Sequence, residues 1–132
     1  NIYHSDMPQY TNFSLWDTYR AKQPLMTIIQ SEKAGQFVAS MVDICDKQGD
    51  LPVWHLWGNE TNCMVGDPAI PVVADAIVKG LKGFDREHAF AAIKQTAASH
   101  ERGKGLRHTY GYIPCNLFNE AVAYDMEFAR NL

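Results

Sequence analysis

Residues 31–49 read SEKAGQFVASMVDICDKQG, and this stretch decides the fold class. Ala34, Phe37, Val38, Met41, Val42 and Cys45 recur at steps of three and four. Such spacing gathers them on one face of an α-helix, the face that packs inward. Ser31 opens this helix and Gly49 closes it as a left-handed cap. The same reading extends in both directions. Upstream, Ser14 and Asp17 have the spacing of a capping box, and Leu15, Tyr19, Ala21, Leu25, Met26 and Ile29 supply apolar positions. Pro24 must kink or split that stretch, because its ring clashes one turn back and it has no N–H. Downstream, Asp67-Pro68 begins a third helix over Val72, Val73, Ala76, Ile77 and Leu81, with Gly83 as its stop. Asp85 opens a fourth over Ala89, Phe90, Ile93, Ala97 and Ala98, with Phe84 and Ala89 placed as a staple. A fifth starts near Asn116 or Asn119 and carries Val122, Met126 and Ala129.

No segment sustains a two-residue alternation. Leu51–Leu56 is a short apolar run with the character of a strand, but one strand makes no sheet. The expected fold is therefore all-α, made of short-looped antiparallel helical hairpins. Leu51–Gly66 and Glu101–Cys115 read as long loops, the places where a helical scaffold carries function.

Composition narrows the function classes. A chain of 132 residues with 46% hydrophobic content has the size and apolar share of one packed domain. A net charge of −3 argues against a broad nucleic-acid surface, which needs a basic excess. No apolar run approaches the ~20 residues of a membrane span. Cys45, Cys63 and Cys115 form no CxxC, which disfavours a thiolate zinc site, and the five histidines form no His-x3-His or His-x-His pair. The first residue is Asn, no signal-peptide pattern follows, and the last helix runs to Leu132 without a stop. The expectation is an excerpt of a longer protein.

Three segments carry candidate chemistry. In Trp16-Asp17-Thr18-Tyr19-Arg20, Asp17 and Arg20 share a helix face. A carboxylate beside a guanidinium fork suits a ligand with adjacent hydroxyls. The bland alternative is a cap paired with its neighbour. In residues 52–63, Trp54 and Trp57 lie beside Asn59, Glu60, Thr61 and Asn62. An indole stacks on the apolar face of a sugar ring while amides and carboxylates bind its hydroxyls. The alternative is two core tryptophans and a solvated turn. Glu60 is the candidate general acid by residue type, although glycoside hydrolysis needs a second carboxylate opposite. Arg107–Pro114, with His108, Tyr110 and Tyr112, reads as a packed loop or a cleft wall. Glu60, Asn62 and Asp67 offer oxygen ligands, but not at EF-hand spacing, and no residue is assigned to a metal.

Phe13-Ser14-Leu15-Trp16-Asp17-Thr18-Tyr19-Arg20 with Pro24-Leu25 resembles a motif of the glycoside hydrolase family 92 α-mannosidases. So do Leu51-Pro52-Val53-Trp54, Leu56–Met64, Pro71–Ala76, the Lys79–Asp85 run and Tyr110–Pro114, all in the family's order. The resemblance covers most of Tyr10 to Arg130. It implies part of an (α/α)6 toroidal barrel, residues 1–132 forming a fragment of that catalytic domain without a complete second domain. It also implies an exo-acting, calcium-dependent, inverting enzyme that releases terminal mannose, notably α-1,2-linked, from N-glycans or mannans. The partners are then a mannose-containing oligosaccharide and the rest of the barrel with its β-sandwich. Export to the periplasm or cell surface follows from the same likeness. Asp17, Arg20, Trp57, Asn59 and Glu60 match positions that bind substrate or lie close to the pocket. The family's acid and base belong to later motifs, and calcium ligands are expected outside this chain. The segment between Ser5 and Tyr10 is shorter than the family's. The fragment alone is expected to be inactive. The alternative function is a non-catalytic helical module that binds carbohydrate or protein, and another hydrolase on the same toroid, trehalase-like, is a third reading.

Overall fold

A computed structural model describes residues 2–117. The chain runs β1 (Phe13–Ser14), α1 (Leu15–Thr18), α2 (Lys22–Ile29), α3 (Ser31–Gln48), β2 (Trp54–Leu56), β3 (Asn59–Glu60), α4 (Ala69–Val78), α5 (Arg86–Ala98) and α6 (Lys104–Tyr110). The long helix α3 is the spine. Its Ala34, Val38, Met41, Val42, Ile44 and Cys45 are buried together with Val72, Val73 and Ala76 of α4 and Ala89 and Ala92 of α5. Gly49 follows α3 at φ 100°, the conformation that favours glycine at a helix end. Asp85 caps α5 by accepting the His88 N–H at 2.8 Å.

Gly35 permits the closest approach in the core. It is buried on α3 directly beneath the Lys82 carbonyl, and a Cβ added there would overlap that oxygen. The turn between α4 and α5 therefore rests on bare backbone, and Gly83 makes that turn at φ 99°.

Several expectations need correction. The fold is not all-α, because β1, β2 and β3 form a three-stranded antiparallel sheet with β2 in the middle. The apolar run at Leu51–Leu56 finds its partners in residues 13–14 and 59–60, segments too short to show alternation. Helix formation upstream is interrupted before Pro24 rather than at it: α1 ends at Thr18 and α2 begins at Lys22, which leaves Pro24 in a first turn where its missing N–H costs nothing. Ser14 makes no capping bond to a backbone N–H. Its hydroxyl donates instead to Asp17 Oδ2 at 2.6 Å. The helix expected to run to Gly83 stops at Val78. Glu101–Cys115 is not all loop, since α6 lies within it between Gly103 and Gly111, both at positive φ. The fifth helix expected from the sequence falls almost wholly outside the described residues.

Candidate functional site: a strained hairpin beside a polar groove

The site grows from the β2–β3 hairpin. Leu56 pairs with Asn59, so Trp57 and Gly58 alone make the turn. Their φ angles are 49° and 87°. Positive φ at both central residues is the mark of a type I′ hairpin, which usually carries Asn-Gly because a β-carbon is strained there. Here the first position holds a tryptophan whose side chain is 80% exposed. The turn is held from outside: Asn12 Oδ1 accepts the Trp57 N–H at 3.4 Å, and Thr11 Oγ1 accepts the Gly58 N–H at 3.3 Å. Asn12, Asn62 and Met64 also adopt positive φ. Such strain persists only where the surroundings over-determine it, and it concentrates at functional sites.

Glu60 pins the other end of the hairpin. One carboxylate oxygen accepts the Val53 N–H at 2.8 Å, and the other accepts those of Trp54 at 3.1 Å and Asn62 at 2.9 Å. All three bonds draw on carboxylate lone pairs, so Glu60 acts here as a charged acceptor that closes the loop on itself. Behind the sheet, His55 is buried, with Nδ1 3.2 Å from Thr11 Oγ1 and Nε2 3.4 Å from Gln48 Nε2. Burial pushes its pKa down against a smaller upward pull from Glu60.

The pairing of β1 with β2 decides how the sequence candidates are distributed. Ser14 lies opposite Trp54 and Phe13 opposite His55. The segment that follows β1, with Asp17 and Arg20, thus leaves from the end of the sheet where β2 begins. Glu60 reaches back to that same end. Trp57, with Asn59 beside it, stands at the far end. Asp17 is exposed and takes the Ser14 hydroxyl, while Arg20 lies over the Trp16 and Tyr19 rings at 5.1 and 5.3 Å. Arg20 also donates to the Trp16 carbonyl at 3.4 Å, and among the described residues no Asp17–Arg20 ion pair forms.

A groove of about 290 Å3 runs beside Glu60, lined by Gln48, Asp50, Leu51, Asn62, Glu101 and Arg102. Reading the sequence missed this feature. Its Asp50 and Arg102 belong to a charge knot: Arg102 reaches Asp67 at 3.0 Å and Asp50 at 3.6 Å, and Lys104 reaches them at 3.2 and 3.7 Å. Lys104 is only 1% exposed and also donates to the Thr96 carbonyl at 2.7 Å. These residues lie too far apart in the chain for any spacing to announce them. The Arg107–Pro114 candidate splits between α6 and the residues after it, and His108 meets His100 edge-to-face at 5.2 Å.

The sequence profile of the glycosyl hydrolase family 92 catalytic domain matches residues 1–131. The chain belongs to glycosyl hydrolase family 92. Solved members of the family have the same fold over this region. The family GH92 α-mannosidase BT3965 from Bacteroides thetaiotaomicron is 38% identical and covers 96% of the chain at a TM-score of 0.85. The same protein in complex with mannoimidazole gives the same values. The family GH92 inverting mannosidase BT2199 of that organism is 30% identical over 92% of the chain, at a TM-score of 0.76. The chain spans 17% to 18% of the length of these structures. No curated protein matches it.

The oxygen ligands considered for calcium do not converge in this part of the family 92 domain. Glu60 is engaged by three N–H groups, and Asp67 by Arg102 and Lys104. Among the described residues no group of three or more acidic, His or Cys side chains is placed to hold a metal. These residues do not fit a calcium centre.

Proposed function

We propose that this chain is one part of the catalytic domain of an exo-acting α-mannosidase, and that the whole protein hydrolyses terminal α-linked mannose with inversion. The observation that carries the reading is the 38% identity to a family α-mannosidase over 96% of the chain. The site chemistry agrees with it. Trp57 offers an exposed indole face, Asn59 a neighbouring amide, and Asp17 and Arg20 an exposed carboxylate and guanidinium not paired with each other. That combination suits a ring with one apolar face and several hydroxyls. Glu60 supports the loop rather than the proton transfer, and the acid and base lie elsewhere in the protein.

In this reading the helices belong to an (α/α)6 barrel whose remaining helices, and a β-sandwich, come from the rest of the complete protein. Leu25, Ile28 and Ile29 of α2 and Val78 of α4 are exposed apolar side chains that such neighbours would cover. The calcium is held by residues outside those described. The preferred substrate is an α-1,2-linked mannose of an N-glycan or mannan, and the protein works at the periplasm or cell surface. The test is to express the complete protein and assay α-1,2-mannobiose with calcium and with a chelator, following the first-formed anomer by proton NMR. Release of β-mannose that stops on chelation is expected. Release of α-mannose, or none from a folded full-length protein, overturns the reading. The 132 residues alone should release no mannose.

A further inference from the structure

A set of hydrogen bonds behind the hairpin assigns a role to three residues that the proposed function does not use. Gln48, at the end of α3, places its amide nitrogen 3.4 Å from the Gly58 carbonyl and 3.4 Å from His55 Nε2. The Gly58 carbonyl can only accept, so the amide group there must be NH2 rather than oxygen. An NH2 has no lone pair to offer the histidine. His55 Nε2 is therefore the acceptor, and the ring proton sits on Nδ1, which donates to Thr11 Oγ1. The same Thr11 oxygen accepts the Gly58 N–H. The Gln48 NH2, the His55 Nδ1–H and the Gly58 N–H each have an acceptor, and both backbone groups of Gly58 are fixed by the circuit.

Gly58 is the residue next to Trp57, and the two share a turn in which Trp57 carries unfavourable φ. A turn of this kind keeps its shape only while external bonds hold it. We infer that Thr11, Gln48 and neutral His55 are positioning residues that hold the Trp57 indole in its projecting orientation for substrate, and that protonating His55 releases it. A proton on Nε2 would set N–H against the Gln48 NH2. Turning the amide over would then set its oxygen against the Gly58 carbonyl, so no arrangement satisfies both. The charged group facing His55 is Glu60, its cross-strand partner on β3. Its other neighbours are Thr11 before β1, Phe13 on β1 and Gln48 on α3, all uncharged. Burial favours the neutral ring and Glu60 opposes it more weakly, so the bonded form is the one present at neutral pH.

The inference rests on the proposal that Trp57 contacts the sugar, and its test separates the two. In the complete protein, kcat and KM for α-1,2-mannobiose are measured from pH 5 to 8 for wild type, Trp57→Ala, Gln48→Met, Thr11→Val and Thr11→Ser. Hydrogen exchange of residues 54–60 is followed alongside. Gln48→Met and Thr11→Val should each raise KM about fivefold with little change in kcat, since each removes two hydrogen bonds of the circuit, one of them to Gly58. Thr11→Ser, which keeps the hydroxyl, should restore KM. Gln48→Met should add nothing to Trp57→Ala in the double variant, because both act through one indole. Wild-type KM should rise on acidification, and that rise should vanish in Gln48→Met. Faster exchange at the hairpin with unchanged KM would leave the hydrogen-bond circuit standing but overturn its role in substrate binding. Additive effects of Gln48→Met and Trp57→Ala, or unchanged exchange in both Gln48→Met and Thr11→Val, would overturn the positioning role itself. A silent Trp57→Ala in an active mannosidase would instead overturn the contact on which the inference rests.

Discussion

Replacing Glu60 with Gln tests the division of labour in the hairpin. The carboxylate accepts three backbone N–H groups, two on one oxygen and one on the other. Glutamine has a single acceptor oxygen. Placed to keep the Trp54 and Asn62 bonds, it turns its NH2 toward the Val53 N–H. Val53 is fully buried, so that N–H loses its partner where water cannot replace it, at about 1–3 kcal/mol. The two remaining bonds pass from charge-assisted to neutral, for about 0.5–1 kcal/mol each. The total is about 2–5 kcal/mol, concentrated in residues 51–62. Because the complete protein is larger than one cooperative unit, the suitable assay is local. Amide hydrogen exchange of Val53, Trp54 and Asn62 should quicken by more than tenfold, while kcat on an α-mannoside falls only modestly. Removing a general acid would do the reverse, lowering kcat by ~10²–10⁴ with the backbone undisturbed. A drop of that size with unchanged exchange would refute the structural role argued for Glu60.

Three further outcomes follow from the packing. Gly35→Ala should lower the melting temperature of the complete protein, because a clash with the Lys82 carbonyl, about 1–3 kcal/mol as overpacking, outweighs the ~1 kcal/mol that alanine gains in a helix; a higher melting temperature would contradict that geometry. Lys104→Met should destabilise by about 3 kcal/mol or more, since it leaves Arg102 as the one cation paired with Asp50 and Asp67 and leaves the Thr96 carbonyl with only the Ser99 N–H, and equal urea midpoints for variant and wild type would count against a buried ion pair. Burial raises the Cys45 pKa above its ordinary 9.0, with Thr96 opposing and the nearby Asp46 and Asp50 adding to it. The unfolded thiol then ionises first, so this group's contribution to stability is intact below pH 9.0 and declines as pH rises through the folded value. Iodoacetamide should accordingly label exposed Cys63 and spare Cys45 until the protein unfolds, as peptide mass mapping would read.

How far the fold was legible depended on the length of each element. The three-and-four spacing along α3 is sustained from Ala34 to Cys45, and both Gly49 and Asp85 stand where helix ends require them. The sheet was not legible, because strands of two or three residues carry no measurable alternation and their partnership is a tertiary fact. The turn at Trp57-Gly58 was hidden for another reason: its first residue is one that positive φ ordinarily rejects, tolerated because Thr11 and Asn12 hold it from 45 or more residues away. Trp57, Asn59 and Glu60 were legible as a polar-aromatic cluster, yet their different duties were not. Only the three N–H bonds to Glu60 separate a loop clamp from an exposed ligand contact. The roles of Gln48 and His55 escaped notice because each is unremarkable within its own segment, and Asp67, legible as a helix opening and an oxygen ligand, gave no sign of its pairing with Arg102 and Lys104.

That knot also constrains how the region can diverge. Two cations and two carboxylates, all largely withdrawn from water, cancel one another. Any single replacement that alters charge strands an odd ion in the interior, while a matched exchange on both sides does not. Sequences descended from this one should therefore keep the quartet intact or change it in pairs, across positions 50, 67, 102 and 104 at once. Lineages that lose it would be expected to arrive by way of apolar quartets, with a passage through poorly folding intermediates separating the two groups.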